Sequence, residues 1–222
     1  MCALPFRGWP PEAVEFFEQL ETDNSKAFWT ANRETYDAAV RGPMDALGVE
    51  VEGEFGPLHV FRPYRDVRFS KDKTPYKTAI GAVTEGEGGE VFYVQLSAEG
   101  IMAASGYHQM ARDQLDRYYR AVDDDRSGPD LVERIEAAEK ARLDIGGAAL
   151  KTAPRGYPRD HPRIRLLRHK GVTAGRSWPP AKWMSTHAAL DRVTGVWREV
   201  APINDWLAAH VGPSTEPPPE AR

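Results

Sequence analysis

The 222-residue chain reads as an α+β fold, a central and largely antiparallel sheet covered by N-terminal and C-terminal helices. Three observations lead there. Apolar residues recur at helical spacing near the start, at Val14, Phe17 and Leu20, and Leu190, Trp197 and Trp206 supply packing residues for helices near the end. In the middle, the strand-like runs 91–97 (VFYVQLS) and 100–105 are joined by a turn too short for a crossover, so they must lie antiparallel. From Arg62 to Ser70 the residues alternate, as one extended segment with two faces would require.

The elements follow in order. Pro10 and Pro11 with Glu12 are helix-start signals, so a first helix runs to Leu20. Asn24 or Ser25 caps a second helix through Phe28, Trp29, Asn32, Tyr36 and Val40, which stops near Gly42 and Pro43. Pro43 opens a third helix toward Leu47 and Val51. A strand is expected near 58–69, followed by a glycine- and glutamate-rich connection at 85–90 and the hairpin 91–97/100–105. Gly106 ends that hairpin where backbones approach closely. Helices follow at about 111–122, with Leu115, Tyr118 and Tyr119 inward, and at 129–143, with Leu131, Ile135 and Ala138 inward. Asp160 or His161 caps a short helix that turns Ile164 and Leu167 inward. Residues 179–211 read as two helices broken near Pro202. Together 1–211 is expected to form one domain. The proline-rich tail 212–222 offers nothing to bury and is expected to be disordered.

The chemistry concentrates in residues 62–82, RPYRDVRFSKDKTPYKTAIGA. Arg62, Tyr64, Asp66, Arg68 and Ser70 share one face, and Pro63, Arg65, Val67 and Phe69 share the other. Lys71-Asp72-Lys73-Thr74-Pro75 is a turn. Residues 62–77 carry six bases against two acids, and 154–176 carry seven bases against Asp160, while the whole chain has a net charge of −4. Two basic islands in an acidic body fit a local anion site better than a general nucleic-acid coat. Arginine, lysine and hydroxyls are the groups that grip phosphate or carboxylate. The plainer alternative is a charged surface whose members are solvated or paired, Asp66 with Arg68 for example.

RDVRFSKDKTPYKT, with NSKAFW at 24–29 and PRGYPRDHPRIRLLRHKG at 154–171, resembles the family called domain of unknown function 2461, over roughly residues 10–210. The resemblance implies a soluble α+β domain and assigns no catalytic residue.

Other chemistries find little support. The only cysteine is Cys2, which leaves no disulfide and no cysteine-based zinc site. The six histidines (59, 108, 161, 169, 187, 210) show no metal-binding spacing, and Asp123-Asp124-Asp125 cannot all face one ion on a regular element. Ser70 lacks a nucleophile elbow. No cofactor or metal is expected. No apolar run approaches membrane-spanning length and no secretory leader stands at the start, so a cytoplasmic location away from membranes is expected.

The candidate ligand-binding residues are therefore Arg62, Arg65, Asp66, Arg68, Ser70, Lys73, Tyr76, Lys77 and Tyr107, with Lys151, Arg155, His161 and Lys170 from the second island. Three readings follow. The first is a domain, enzymatic or not, that binds a small phosphorylated or carboxylated ligand. The second is a nucleic-acid-binding or processing module that stacks bases on Tyr64, Tyr76, Tyr107 and Tyr157. The third is a structural domain whose motif is a buried Arg–Asp lock. The two islands are expected to meet around a shared anion.

Overall fold

The computed structural model describes residues 5–68, 72–86 and 89–215. It is α+β, with one antiparallel six-stranded sheet in the order β1-β2-β3-β4-β6-β5. The strands are β1 (His59–Val60), β2 (Ala79–Glu85), β3 (Val91–Ser97), β4 (Gly100–Tyr107), β5 (Asp144–Gly146) and β6 (Val172–Trp178). The chain divides into two compact units, the first made of residues 1–84, 93–103 and 177–195 and the second of 85–92, 104–176 and 196–222.

In the first unit, α1 (Pro11–Thr22) starts on Pro11 and buries Ala13, Phe16, Phe17 and Leu20, spaced one and two turns apart. Val14, expected on that face, is only half-buried. Ser25, not Asn24, caps α2 (Lys26–Ala31), its Oγ accepting from the Phe28 N–H at 3.1 Å. The expected stop at Gly42 and Pro43 does not occur. Instead α3 (Arg33–Thr35) leads into a π-helical turn, Tyr36–Arg41, and then directly into α4 (Gly42–Phe55). The wider turn explains the continuity. A proline inside an α-helix lacks a donor and collides with the carbonyl four residues back, but here Pro43 falls in the first turn of α4.

The expected strand 58–69 is also corrected. Only His59 and Val60 pair as a strand, opposite Val83 and Ala82, and Tyr64 makes one isolated bridge to Tyr76. The alternation itself is real: Phe61, Pro63, Arg65 and Val67 are half-buried, while Arg62, Tyr64, Asp66 and Arg68 are exposed. Pro63 has no N–H to give, and, among the described residues, 61–68 are held by the backbone bonds Phe61 to Gly81, Arg65 to Pro75 and Lys77 to Pro63 rather than by a full ladder. Strand β2 buries Ile80, Gly81, Ala82 and Thr84, so it shows no two-residue period by which its sequence would reveal a strand.

In the second unit, α5 (Arg112–Asp123) and α6 (Ser127–Lys140) match the two expected helices and bury Tyr118, Val122, Leu131, Ile135 and Ala138. Leu115 and Tyr119 are half-buried. The short helix α7 (Ile164–Leu167) buries Leu166 and Leu167, and the His161 ring accepts the Arg163 N–H. Gly106, at φ 130°, lies so close to the neighbouring strand that a Cβ would sit 2.2 Å from the Val172 carbonyl oxygen.

Residues 188–210 form one helix, α8 (Ala188–His210), with Pro202 inside it, rather than two helices. The Pro202 carbonyl accepts from Arg134 Nη1 at 2.6 Å. The start of the tail is also ordered. Gln114 donates to the Gly212 carbonyl, Arg117 donates to the Val211 and Pro213 carbonyls, and Asp113 accepts from Ser214 and Thr215. The tail was expected to lack partners because its composition is polar and proline-rich, but its anchors are backbone carbonyls and hydroxyls, which composition does not reveal. Residues 216–222 lie outside the described residues. Among the described residues no helix is long and apolar enough to cross a membrane.

Candidate functional site

The charged window folds back on itself as an open hairpin. Arg65 N–H donates to the Pro75 carbonyl at 2.9 Å, and Lys77 N–H donates to the Pro63 carbonyl at 2.8 Å. Beneath it lies an aromatic layer. The Trp29 and Tyr76 rings stack at 4.2 Å and 7°, and Tyr64 lies 5.5 Å from Tyr76 and 6.2 Å from Trp29. Such pairs contribute about 0.5 to 1.5 kcal/mol each beyond the area they bury. Asn24 adds two hydrogen bonds, its Nδ2 donating to the Tyr76 carbonyl at 3.1 Å and its Oδ1 accepting the Tyr76 N–H at 3.0 Å. The side chain of NSKAFW and the backbone of TPYKT are thus joined directly.

This scaffold sorts the cations into two groups. Arg65 pairs with Asp72, whose pKa is lowered chiefly by bonds from Thr74 and further by Arg65. Arg68 pairs with Asp66 at 2.7 Å, and its bonds pull the Asp66 pKa down to about 2. This second pair is 71% and 45% exposed, a surface pair rather than a buried one. Exposed pairs of this kind contribute little to stability. Lys73 Nζ donates to the Val67 carbonyl at 2.8 Å. Arg62 and Lys77 remain, and among the described residues neither has a carboxylate partner. Lys77 Nζ lies 5.3 Å from the centre of the Phe61 ring. Burial, and then the positive charge of Arg62, lower its pKa.

Lys77 and Arg65 line an open depression of about 320 Å³ with Phe61, Thr78, Ala79, Gly81, Tyr93 and Gln95. Among the described residues no carboxylate lines it. Tyr93 OH donates to Gln95 Oε1 at 2.8 Å, and burial raises the Tyr93 pKa. Gly81 makes room for that ring: a Cβ there would lie 2.7 Å from the Tyr93 hydroxyl. Thr78, Tyr93 and Gln95 were not among the expected residues. A usable signal was the Tyr93/Gln95 pair, two polar groups at i and i+2 and so on one face of an otherwise apolar strand.

The other expected residues are placed as follows. Tyr76 and Tyr107 are buried, with 5% and 2% of their surface exposed, so neither ring is available as a stacking platform. Burial, with the charge of Glu90, pushes the Tyr107 pKa up to about 12. Ser70 lies outside the described residues.

The second island belongs to the other compact unit, and acids answer much of its charge. His161 contacts Asp123 at 3.0 Å, Arg163 pairs with Asp125, Arg165 with Glu139 and Arg176 with Glu199. Lys151 and Arg155 are exposed, and Lys170 is half-buried with its backbone bonded to Ala148 and Met110. The acids at 123–125 have three separate tasks, since Asp124 accepts the Arg126 and Ser127 N–H groups at the start of α6. Among the described residues no group of three acidic, histidine or cysteine side chains could hold a metal ion.

No curated protein matches this chain. A family model described as "Conserved hypothetical protein (DUF2461)" matches residues 12–206, including the NSKAFW segment, the charged window and the second island. The chain belongs to that family.

Proposed function

We propose that this protein binds a small phosphorylated or carboxylated ligand in the depression lined by Arg65, Lys77, Thr78, Tyr93 and Gln95. The observation that carries this reading is the state of Lys77 and Arg62. Each lacks an acidic partner among the described residues, and Arg62 is near enough to depress the Lys77 pKa. Two like charges at a partly desolvated position repel, and an anion between them relieves the cost. The Thr78 hydroxyl and the side-chain N–H groups of Gln95 offer further hydrogen bonds to ligand oxygens. The second island is not part of this reading, since three of its arginines, Arg163, Arg165 and Arg176, are paired with Asp125, Glu139 and Glu199.

The test is a thermal-shift screen against nucleotides, sugar phosphates and organic acids, followed by calorimetry on the hits. A stabilising anion whose effect disappears in Lys77→Ala and Arg65→Ala supports the reading. No stabilisation by any of them in the intact protein would overturn it.

A specific feature favours the nucleic-acid reading as a second one. Tyr64 is 46% exposed, lies against buried aromatics and is flanked on its own face by Arg62 and Arg68. Binding of single strands that falls steeply with salt and is lost in Tyr64→Ala would select that reading over the first.

A further inference from the structure

The geometry points to Lys77 as an amine nucleophile for an anionic carbonyl compound, an oxo acid or an aldehyde bearing phosphate, held in the depression it lines with Arg65. This rests on the anion-binding reading of the same site and narrows the ligand class.

The two requirements of such a site are an unpaired amine beside an anion anchor and an environment that favours the neutral amine. The first is met by placement. Lys77 Nζ has no carboxylate partner among the described residues and lies over the Phe61 ring at 5.3 Å. It shares the cavity of about 320 Å³ with the Arg65 guanidinium and the Tyr93–Gln95 pair. The charged and titratable groups facing it there are Arg65 and Tyr93, with Arg62 nearby. None of these is a carboxylate; Asp72 is bonded to Arg65, and the Phe61 ring is the group there that favours the ammonium form. The second requirement is met by burial and by Arg62, both of which lower the pKa. A partly desolvated lysine beside another cation is the arrangement that favours the neutral amine for Schiff-base formation.

The step balances without an added oxidant or reductant. The Lys77 ammonium gives one proton to water. The neutral amine then adds its lone pair to the carbonyl carbon as the C=O π bond breaks. After proton transfer the carbinolamine hydroxyl takes up one proton and leaves as water. The product is a protonated imine, so ammonium plus carbonyl gives iminium plus water.

Pyridoxal 5′-phosphate serves as the probe, pyridoxal as the same aldehyde without the anion, and inorganic phosphate as competitor. Each aldehyde is incubated with the full chain and trapped with borohydride, and the eight lysines are compared by peptide mapping. Lys77 is expected to be labelled first. Pyridoxal 5′-phosphate should label it about tenfold faster than pyridoxal, the least a charge-assisted bond to the phosphate contributes, and inorganic phosphate should protect it. Arg62→Gln should move the pH of half-maximal labelling upward, which a merely structural role for Arg62 would not do. Lys77→Arg should abolish that label.

If phosphate stabilises the protein but Lys77 is labelled no faster than the other lysines, the nucleophile is overturned and the anion site stands. If pyridoxal and its phosphate label Lys77 equally and phosphate gives no protection, the proposed ligand class is overturned. If phosphate neither stabilises nor protects and Lys77 is unremarkable, both readings fail.

Discussion

Asn24 and Tyr76, 52 residues apart, are joined like two opposed residues of an antiparallel ladder, with the Asn24 side-chain amide standing in for a backbone. The amide presents one N–H and its carbonyl oxygen in the geometry of a peptide group, so it satisfies both polar groups of the Tyr76 backbone. Tyr76 is buried, and water cannot replace these bonds without reopening the Trp29–Tyr76 stack.

Asn24→Ala is therefore expected to destabilise the protein by about 2 to 4 kcal/mol, since it strands one buried donor and one buried acceptor. Asn24→Ser, which can meet only one of the two at a time, should lose less. Urea denaturation checks the order. A loss in Asn24→Ala no larger than that of an exposed neighbour such as Thr22→Ala would contradict this account.

The Asp66–Arg68 pair yields a pH prediction. The folded pKa of Asp66, about 2, lies below the ordinary carboxylate value of about 3.9. Between those values the unfolded chain binds more protons, so this contribution is present above the unfolded value and is lost as pH falls from about 4 to about 2. Carbon-detected NMR titration should find the Asp66 carboxyl in that low range, with Arg68→Ala returning it toward the ordinary value. Because both side chains are exposed, Arg68→Ala should leave the melting temperature at neutral pH nearly unchanged.

Removal of residues 212–222 is expected to lower the melting temperature by several degrees. It deletes the Gly212 and Pro213 carbonyls that accept from Gln114 and Arg117, and the Ser214 and Thr215 groups bonded to Asp113. Gln114 is buried, so losing its acceptor costs about 1 to 2 kcal/mol, worth about 2 to 4 °C for each kcal/mol in a chain of this size. Differential scanning fluorimetry of the truncated and full chains measures this directly, and equal melting temperatures would refute it.

Gly81→Ala should displace the Tyr93 ring, because the new methyl would lie 2.7 Å from its hydroxyl and 3.2 Å from ring carbons. The expected cost is about 1 to 3 kcal/mol, as for other overpacked sites. Tyr93→Ala in the same chain should recover part of it, so the two changes should be strongly non-additive. An additive double-mutant cycle would mean that the two residues do not meet.

The local features of this fold were legible in the sequence. Proline and serine mark the starts of α1 and α2, the spacing of Leu131, Ile135 and Ala138 sets the buried face of α6, and the two-residue connection 98–99 forces β3 and β4 antiparallel. The two-faced character of residues 61–68 was legible too, because alternation is a property of extended backbone whether or not a ladder forms. Tertiary structure decided the rest. The π-helical turn that carries the chain into Pro43, the single helix across Pro202 and the anchored start of the tail all depend on neighbours that propensity does not see. The same holds for charge. A cation-rich stretch looks alike in sequence whether its partners are solvent, a ligand or acids elsewhere. Asp125 and Glu139, 38 and 26 residues from Arg163 and Arg165, answer part of the second island, whereas Arg62 and Lys77 have no carboxylate partner among the described residues. The amino-acid order sets where charge accumulates along the chain. Which charges are already neutralised is settled by distance in space, because Coulomb attraction falls with separation and burial.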